Sequence, residues 1–420
     1  MGLLSWHITG GVLALTLDAV YTTAVATLLY VLGVYLRRRV NFLTRFCIPY
    51  AVIGGLIMAL ITLALHHAGG GVVKFNTVMQ SPMMIAFFTT VGIGGSLKLL
   101  KRGGGALIVY LVACWLLAVF QNGFGAGLAK ILGIQPLLGI MAGAVSLEGG
   151  HGAAAAFGPT AESLGVAGAG VVAIASATYG LIAGGLIGGP IASWLITKNQ
   201  LEIKAVQDEL FKNTQDLTES AGLNDSFDMF RMITLVIVIM ALGGTASDWF
   251  NGMARNVWGW KNFSLPGYVS AMFVAIIFRN LNDSFKVVKL HDKALGIISD
   301  VSIGLFLTMA MMSIRIWELY ELAVPLIVIL VLQTAAIALI AVYILFPALG
   351  KDYDAAVMCS GFCGHGLGAT PNAVSNMGAV SDKYGMMSYK AFLIVPLCGA
   401  VLIDIVAIPC IVWFINYFAP

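Results

Sequence analysis

Hydrophobic positions in this chain run in long uninterrupted blocks. Stretches 46–65, 78–97, 104–129, 167–197 and 322–350 contain no Asp, Glu, Lys or Arg. A helix of about 20 apolar residues crosses a hydrocarbon core about 30 Å thick, so each block predicts a membrane-spanning helix. Continued along the chain, the pattern predicts spans near 18–36, 46–65, 78–97, 104–129 and 167–197, then 231–247, 265–279, 295–314, 322–348 and 391–416. Two groups of five flank the one extended polar stretch, 198–230, which reads as a solvated linker with room for a short surface helix. Two further apolar segments do not read as normal spans. They are 137–160 (PLLGIMAGAVSLEGGHGAAAAFGP) and 354–376 (DAAVMCSGFCGHGLGATPNAVSN), and each carries Gly-His-Gly near its centre. Backbone so rich in glycine is not expected to stay helical throughout. Non-helical backbone at membrane depth is tolerated only where protein or a water-filled cavity surrounds it. Both segments are therefore expected to be re-entrant loops, entering and leaving on one side.

Composition excludes other classes. Charged residues make up 10% of the 420 positions and the AVILMFWYC set 59%, whereas soluble globular proteins carry about 25% charge. Too little polar surface exists to cover two or three soluble domains, the number that length alone predicts. The net charge of +3 comes from scattered basic residues, which form no patch for nucleic acid. The six cysteines (Cys47, Cys114, Cys359, Cys363, Cys398 and Cys410) sit mostly in apolar segments without metal-ligand spacing, and read as small buried apolar residues. No Lys or Arg precedes Arg37, so the first hydrophobic stretch lacks the basic start of a cleaved signal peptide and is expected to remain as a helix.

The halves also match in order. Gly150-His151-Gly152 and Gly364-His365-Gly366 lie 214 positions apart, and Ser96-Leu97-Lys98-Leu99 and Ser313-Ile314-Arg315-Ile316 lie 217 apart. Two matches at nearly one offset indicate an internal duplication, with repeats 1–197 and 231–420. Five crossings per half is an odd number, so the second repeat runs upside down relative to the first. With both termini outside, 18 of the 23 Lys and Arg fall on the cytoplasmic side, as the positive-inside rule requires. The fold class expected is an all-α polytopic membrane protein of two inverted five-helix repeats, each with a re-entrant loop.

Inverted repeats with a broken segment at matching positions point to a secondary transporter whose site lies where the breaks meet. A helix restarting after a break offers free N–H groups and the positive end of its dipole to an anion. Gly150, His151, Gly152, Ala153 and Ala154 in the first segment, and Gly364, His365, Gly366, Gly368, Ala369, Thr370 and Asn372 in the second, are the substrate-binding candidates. His151 and His365 could equally bond backbone within their loops. Gln121 and Asn122, adjacent amides in an apolar span, are candidates for substrate contact or for interhelical bonding, and Gln333 chiefly for the latter. Asp300, Asp404 and Glu148 are the acidic groups inside spans, where an ionisable residue is functional by default. With Ser302 they are the candidates for a coupling cation. The run Gly180–Gly189 (GLIAGGLIGG) predicts close helix packing.

At these residues the sequence resembles the glutamate:sodium symporter family of bacterial inner-membrane carriers. The resemblance covers about 46–416. It is strongest at Ala86–Gly92 (AFFTTVG), Ser146–Gly152 (SLEGGHG), Gly180–Pro190, Asp300–Leu319 (DVSIGLFLTMAMMSIRIWEL), Tyr353–Val357 (YDAAV), Gly366–Met377 (GLGATPNAVSNM) and Ile403–Val406 (IDIV). It implies Na⁺-coupled uptake of L-glutamate, opposed re-entrant loops, a cytoplasmic central loop, a homodimer, and a substrate-carrying domain that moves against a scaffold. Na⁺ is the coupling ion and no cofactor is implied. The chain departs from the family pattern at Ala153, where Thr is common, at Ala407, where Asn is frequent, and at Phe362 and His365, which exchange the aromatic and the imidazole. Another small carboxylate, with H⁺ as coupling ion, is the alternative reading. A passive channel and an intramembrane hydrolase are the others, and no Ser/His/Asp set or His-Glu-x-x-His motif in the spans supports the latter.

Overall fold

The computed structural model describes residues 4–9, 12–45, 48–68, 72–96, 104–203, 226–257, 265–317 and 322–420. Every expected span is helical. The first five are α1 (Ala19–Arg39), α2 (Tyr50–His67), α3 (Gln80–Gly94), α4 (Gly104–Ile131) and, after the first broken segment, α8 (Ala169–Lys198). The broken segment itself is α5 (Pro136–Met141), α6 (Ala144–Leu147) and α7 (Gly150–Ser163). Beyond the linker, of which 204–225 lies outside the described residues, come α9 (Ser226–Asn256), α10 (Gly267–Phe285), α11 (Asp292–Met312) and α12 (Ala323–Ile340). The second broken segment is α13 (Tyr353–Leu367) and α14 (Thr370–Tyr384), and the last span is α15 (Tyr389–Leu397) and α16 (Asp404–Phe418).

Seven of the described helices are long and apolar enough to cross a membrane: α1, α2, α4, α8, α9, α11 and α12 with its continuation to Ala348. The other three expected spans fall outside those criteria for visible reasons. Helix α3 has 15 residues and is about 22 Å long. Helix α10 carries Arg279, Asn280 and Asp283 in its last turns, where they serve α3: Arg279 donates to the Ile93 carbonyl at 3.1 Å, Asn280 donates to that of Gly95 at 2.9 Å, and the Ser96 hydroxyl bonds the Asp283 carboxylate. The carbonyls that a helix end leaves unpaired are thus met by a neighbouring helix. The final span is interrupted by a π-turn at Cys398–Leu402.

Two features differ from expectation. Residues Leu4–Thr9 (β1) and Val12–Leu17 (β2) pair antiparallel, and β2 pairs in parallel with Val72–Phe75 (β3). The chain is therefore helical with one small sheet; two six-residue apolar segments around Gly10-Gly11 carry the hairpin signal. In the second broken segment, Gly364-His365-Gly366 continues α13, and the break falls at Gly368-Ala369. Burial explains it: His365 and Leu367 are within 1% of fully buried, and packing overrides the low helix propensity of glycine. In the first segment the breaks fall at Ala142-Gly143 and Glu148-Gly149, immediately ahead of Gly-His-Gly.

Packing sorts the helices into two groups that cut across the halves of the sequence. Helices α1, α2, α3, α9, α10 and α11 pack on one another, and α4 to α8 pack with α12 to α16. Contact between the groups includes α11 on α7, α3 on the π-turn, and Phe157 of α7 edge to face with Tyr268 of α10. The glycine run behaves as expected. Gly180, Gly184 and Gly188 face α13 and α14 so closely that a Cβ at Gly180 would lie 1.8 Å from the Leu367 carbonyl oxygen, and one at Gly188 2.2 Å from Asn376 Nδ2. Of the cysteines, Cys114, Cys359, Cys363 and Cys398 are buried and Cys410 partly so; Cys47 lies outside the described residues.

Candidate functional site

A cavity of about 620 Å³ lies between the two helix groups. The broken segments build one wall. After the break at Glu148-Gly149, Gly150 takes φ +60°, a left-handed conformation that only glycine adopts without strain. That turn directs the start of α7 into the cavity, and among the described residues no backbone acceptor meets the amides of Gly150, His151 and Gly152. From the second segment, Ala369, Thr370 and Pro371 line the same wall. The two tips touch: a Cβ at Gly150 would sit 3.3 Å from the Gly368 carbonyl oxygen. The π-turn completes the wall by bringing Gly399, Ile403 and Asp404 to the cavity, a use of π-geometry common at functional sites.

The histidines have defined tautomers. Thr178 donates its hydroxyl to the Ile174 carbonyl at 3.0 Å, so at 3.0 Å it accepts from His151 Nε2–H. His151 lines the cavity and its Nδ1 is left as an acceptor. His365 Nε2–H donates to the Gly399 carbonyl at 3.1 Å, tying α13 to the π-turn behind the cavity.

Glu148 is the most unusual group in the wall. It is 8% exposed, lines the cavity, and neither carboxylate oxygen has a hydrogen-bond partner among the described residues. A buried carboxylate left without partners costs several kcal/mol, which a small cation beside it would relieve. Asp404 stands on the same wall and Asp300 on the opposite one, on α11. No set of three His, Cys, Asp or Glu side chains among the described residues clusters as a metal site. A monovalent cation held by one or two carboxylates with carbonyl and hydroxyl oxygens fits this wall; a transition metal does not.

Several sequence candidates lie off the cavity. Gln121 donates to the Gly366 carbonyl at 2.7 Å and its own carbonyl accepts from Gln333 at 2.8 Å, so this pair braces α13 against α4 and α12. Replacing Gln121 with Leu is expected to lower stability by about 1 kcal/mol, the usual worth of an interhelical bond in a membrane. Substrate preference should not change, which thermal melts and a substrate panel on the purified variant would check. Asn122 reaches Cys410 at 3.9 Å. Asn372 donates to the Leu181 carbonyl on α8 at 2.7 Å. Ala154, Gly364, Gly366, Gly368 and Ser302 are likewise absent from the lining.

On the opposite wall only Asp300 was a sequence candidate. With it on α11 stands Ile303, and Tyr30 and Arg37 of α1, Tyr50 of α2 and Phe87 of α3 line the same side. Phe87, in the AFFTTVG motif, packs toward Gly152 across the gap. The available signal was helical spacing, since Tyr30 and Arg37 are seven apart and share a face.

Comparison with known proteins gives the family. A family profile described as sodium/glutamate symporter matches residues 15–386. A sodium/glutamate symporter of Escherichia coli (strain K12) is 38% identical over 391 residues, 93% of this chain and 95% of that protein. A sodium/glutamate symporter of Haemophilus influenzae (strain ATCC 51907 / DSM 11121 / KW20 / Rd) is 37% identical over 395 residues, again 93% of this chain and 95% of its own length. With the family profile covering most of the chain, and relatives matched nearly end to end, the chain belongs to the sodium/glutamate symporter family.

Proposed function

We propose that this protein imports L-glutamate together with Na⁺ by alternating access. The cavity at which both broken segments, Glu148 and Asp404 converge carries the reading. A substrate carboxylate binds the free amides at the start of α7 and the Thr370 hydroxyl, while Na⁺ binds Glu148, with Asp404 and loop carbonyls completing its shell. The cation offsets the negative charge of the wall, so each ligand raises the affinity for the other.

Paired packing supports two inverted repeats, 1–197 and 231–420. Helix α1 packs on α2 as α9 packs on α10; α2 packs on α11 as α10 packs on α3; α1 packs on α11 as α9 packs on α3; and α3 meets α11. Each relation maps onto its counterpart when the halves are exchanged. In this reading 137–160 and 354–376 are the opposed re-entrant segments, and both termini lie outside a bacterial inner membrane. The first helix group is the scaffold of a homodimer, and the second carries the ligands.

Labelled glutamate uptake into liposomes tests the function. Uptake is expected with an inward Na⁺ gradient and not with K⁺ or choline at matched pH and potential. An equal rate in choline would remove Na⁺ coupling. Ligands of a carried ion must move with it, which leaves Asp300, on the scaffold wall, outside the ion site. Asp300→Asn is expected to lower the rate and keep the Na⁺ dependence; loss of that dependence would return Asp300 to the ion site.

One observation favours a second reading. Two of the departures from the family pattern, Ala153 and Ala407, line the cavity, and short side chains there leave room for a larger or differently substituted carboxylate. Competition of labelled glutamate uptake by a panel of dicarboxylates and hydroxy acids separates the two.

A further inference from the structure

The turn from α10 to α11 is short and held from inside. Lys286, immediately after α10, takes φ +54° and ψ 39°, and its amide donates to the Asn282 carbonyl at 2.7 Å. Glycine adopts this left-handed conformation without strain, so a lysine there gives up stability. The buried Asn282 side chain holds the turn at two points, donating to the Val288 carbonyl at 2.8 Å and accepting the Val288 N–H at 2.7 Å. The chain so clasped turns Phe285 and Val287 outward, 73% and 78% exposed. Lys286 and Lys289 are exposed beside them, and Lys293 follows in the first turn of α11. Nearby acids are engaged elsewhere. Asp283 accepts from Arg279 at 3.0 Å, Asp228 lies 3.5 Å from His291 Nε2, and Asp292 complements the positive end of α11. Among the described residues none of the three lysines is ion-paired.

Two exposed apolar side chains set among lysines fit the boundary between headgroups and acyl chains. Lysine stems lie along apolar surface while their ammonium heads reach toward negative charge. A soluble anion would leave Phe285 and Val287 uncovered, and a headgroup of no net charge would leave the lysines unmatched. We propose that Phe285, Lys286, Val287 and Lys289 form a clasp for an anionic phospholipid, with the headgroup at the two lysines and the acyl chains against Phe285 and Val287. Strain tolerated at Lys286 then has a function, since a charge is needed at the point where glycine would fit best. In the proposed topology this turn meets the cytoplasmic leaflet, where anionic lipid attracts basic residues, and α10 and α11 belong to the proposed scaffold. That placement rests on the reading above. A headgroup held there fixes the depth of the scaffold while the carrier moves.

Lipid binding to the purified full chain tests it. Phosphatidylglycerol or phosphatidylcholine is titrated into the protein in detergent, and retained lipid is counted by native mass spectrometry beside the shift in melting temperature. Wild type is expected to retain phosphatidylglycerol in preference. Lys286→Gln combined with Lys289→Gln should retain one phosphatidylglycerol fewer per chain, because its dissociation constant rises about 30-fold, equivalent to about 2 kcal/mol. Lys130→Gln, an exposed lysine at the far end of α4, should change nothing. Lys286→Gly separates the lipid contact from the fold. Relief of the left-handed strain should raise the melting temperature without lipid, and loss of the charge should reduce the further rise that phosphatidylglycerol gives. Equal retention of the two lipids by wild type, or phosphatidylglycerol binding unchanged in the lysine variants, would overturn the clasp. Orientation is read separately with an impermeant thiol reagent on Lys289→Cys in sealed right-side-out vesicles. Labelling from outside, above the wild-type background, would overturn the proposed topology and leave the lipid contact standing.

Discussion

Glu148→Gln should abolish Na⁺-driven uptake while leaving the protein at least as stable as wild type. The two effects have opposite signs because the carboxylate is buried without a hydrogen-bond partner among the described residues. Removing a buried charge that has no hydrogen-bond partner among the described residues relieves a desolvation cost. At the proposed ion site the same change takes from Na⁺ its principal charged ligand. Truncating one partner of a desolvated charge pair costs about 2–5 kcal/mol, so uptake should fall roughly 30-fold or more. Thermal melts in detergent and uptake in liposomes read the two effects separately. A variant that is destabilised and still Na⁺-dependent would mean that Glu148 is structural.

Gly180→Val should prevent accumulation of folded protein. The α8 helix packs on α13 through Gly180, Gly184 and Gly188, and a Cβ at Gly180 would sit 1.8 Å from the Leu367 carbonyl oxygen and 3.0 Å from Leu147 Cδ2. Backbone cannot yield as a flexible side chain does. Even Gly180→Ala is expected to cost about 3 kcal/mol or more, the upper end for overpacking, and to separate α8 from the segment that ends at the cavity. Gly189, next to Gly188, has nothing within 4 Å of its Cβ position. Gly189→Ala should therefore melt within a degree or two of wild type, since open helix positions favour alanine by about 1 kcal/mol. Size-exclusion profiles and melting temperatures of the pair decide it; equal tolerance at both sites would contradict the packing.

The spans were legible because an uncharged block of about 20 residues has few structural alternatives in a membrane protein. The glycine stripe was legible because small residues four apart share one helix face. Less readable was where a glycine-rich segment breaks. Gly364-His365-Gly366 stays helical inside a packed α13, and the chain yields instead at Gly368-Ala369. Local composition marks a segment that can break, and tertiary packing chooses the bond. The same limit applies to side chains: Asn372 and His365 share a polar, glycine-rich neighbourhood with Thr370, yet they bond Leu181 and Gly399 while Thr370 lines the cavity. Arg37 escaped notice because charge at a span end reads as topology. Its cavity contact depends on α1 continuing to Arg39 beside Tyr50, which no single segment encodes.

Coupling between Na⁺ and substrate at one site is tested most directly by equilibrium binding, without transport. Glutamate titrated into the purified protein by calorimetry at low and at saturating Na⁺ should show a Kd that falls as Na⁺ rises. The Kd for Na⁺ should fall by the same factor when glutamate is present, as linkage requires. Glutamate binding with a Kd indifferent to Na⁺ would contradict a shared site between Glu148 and the starts of α7 and α14.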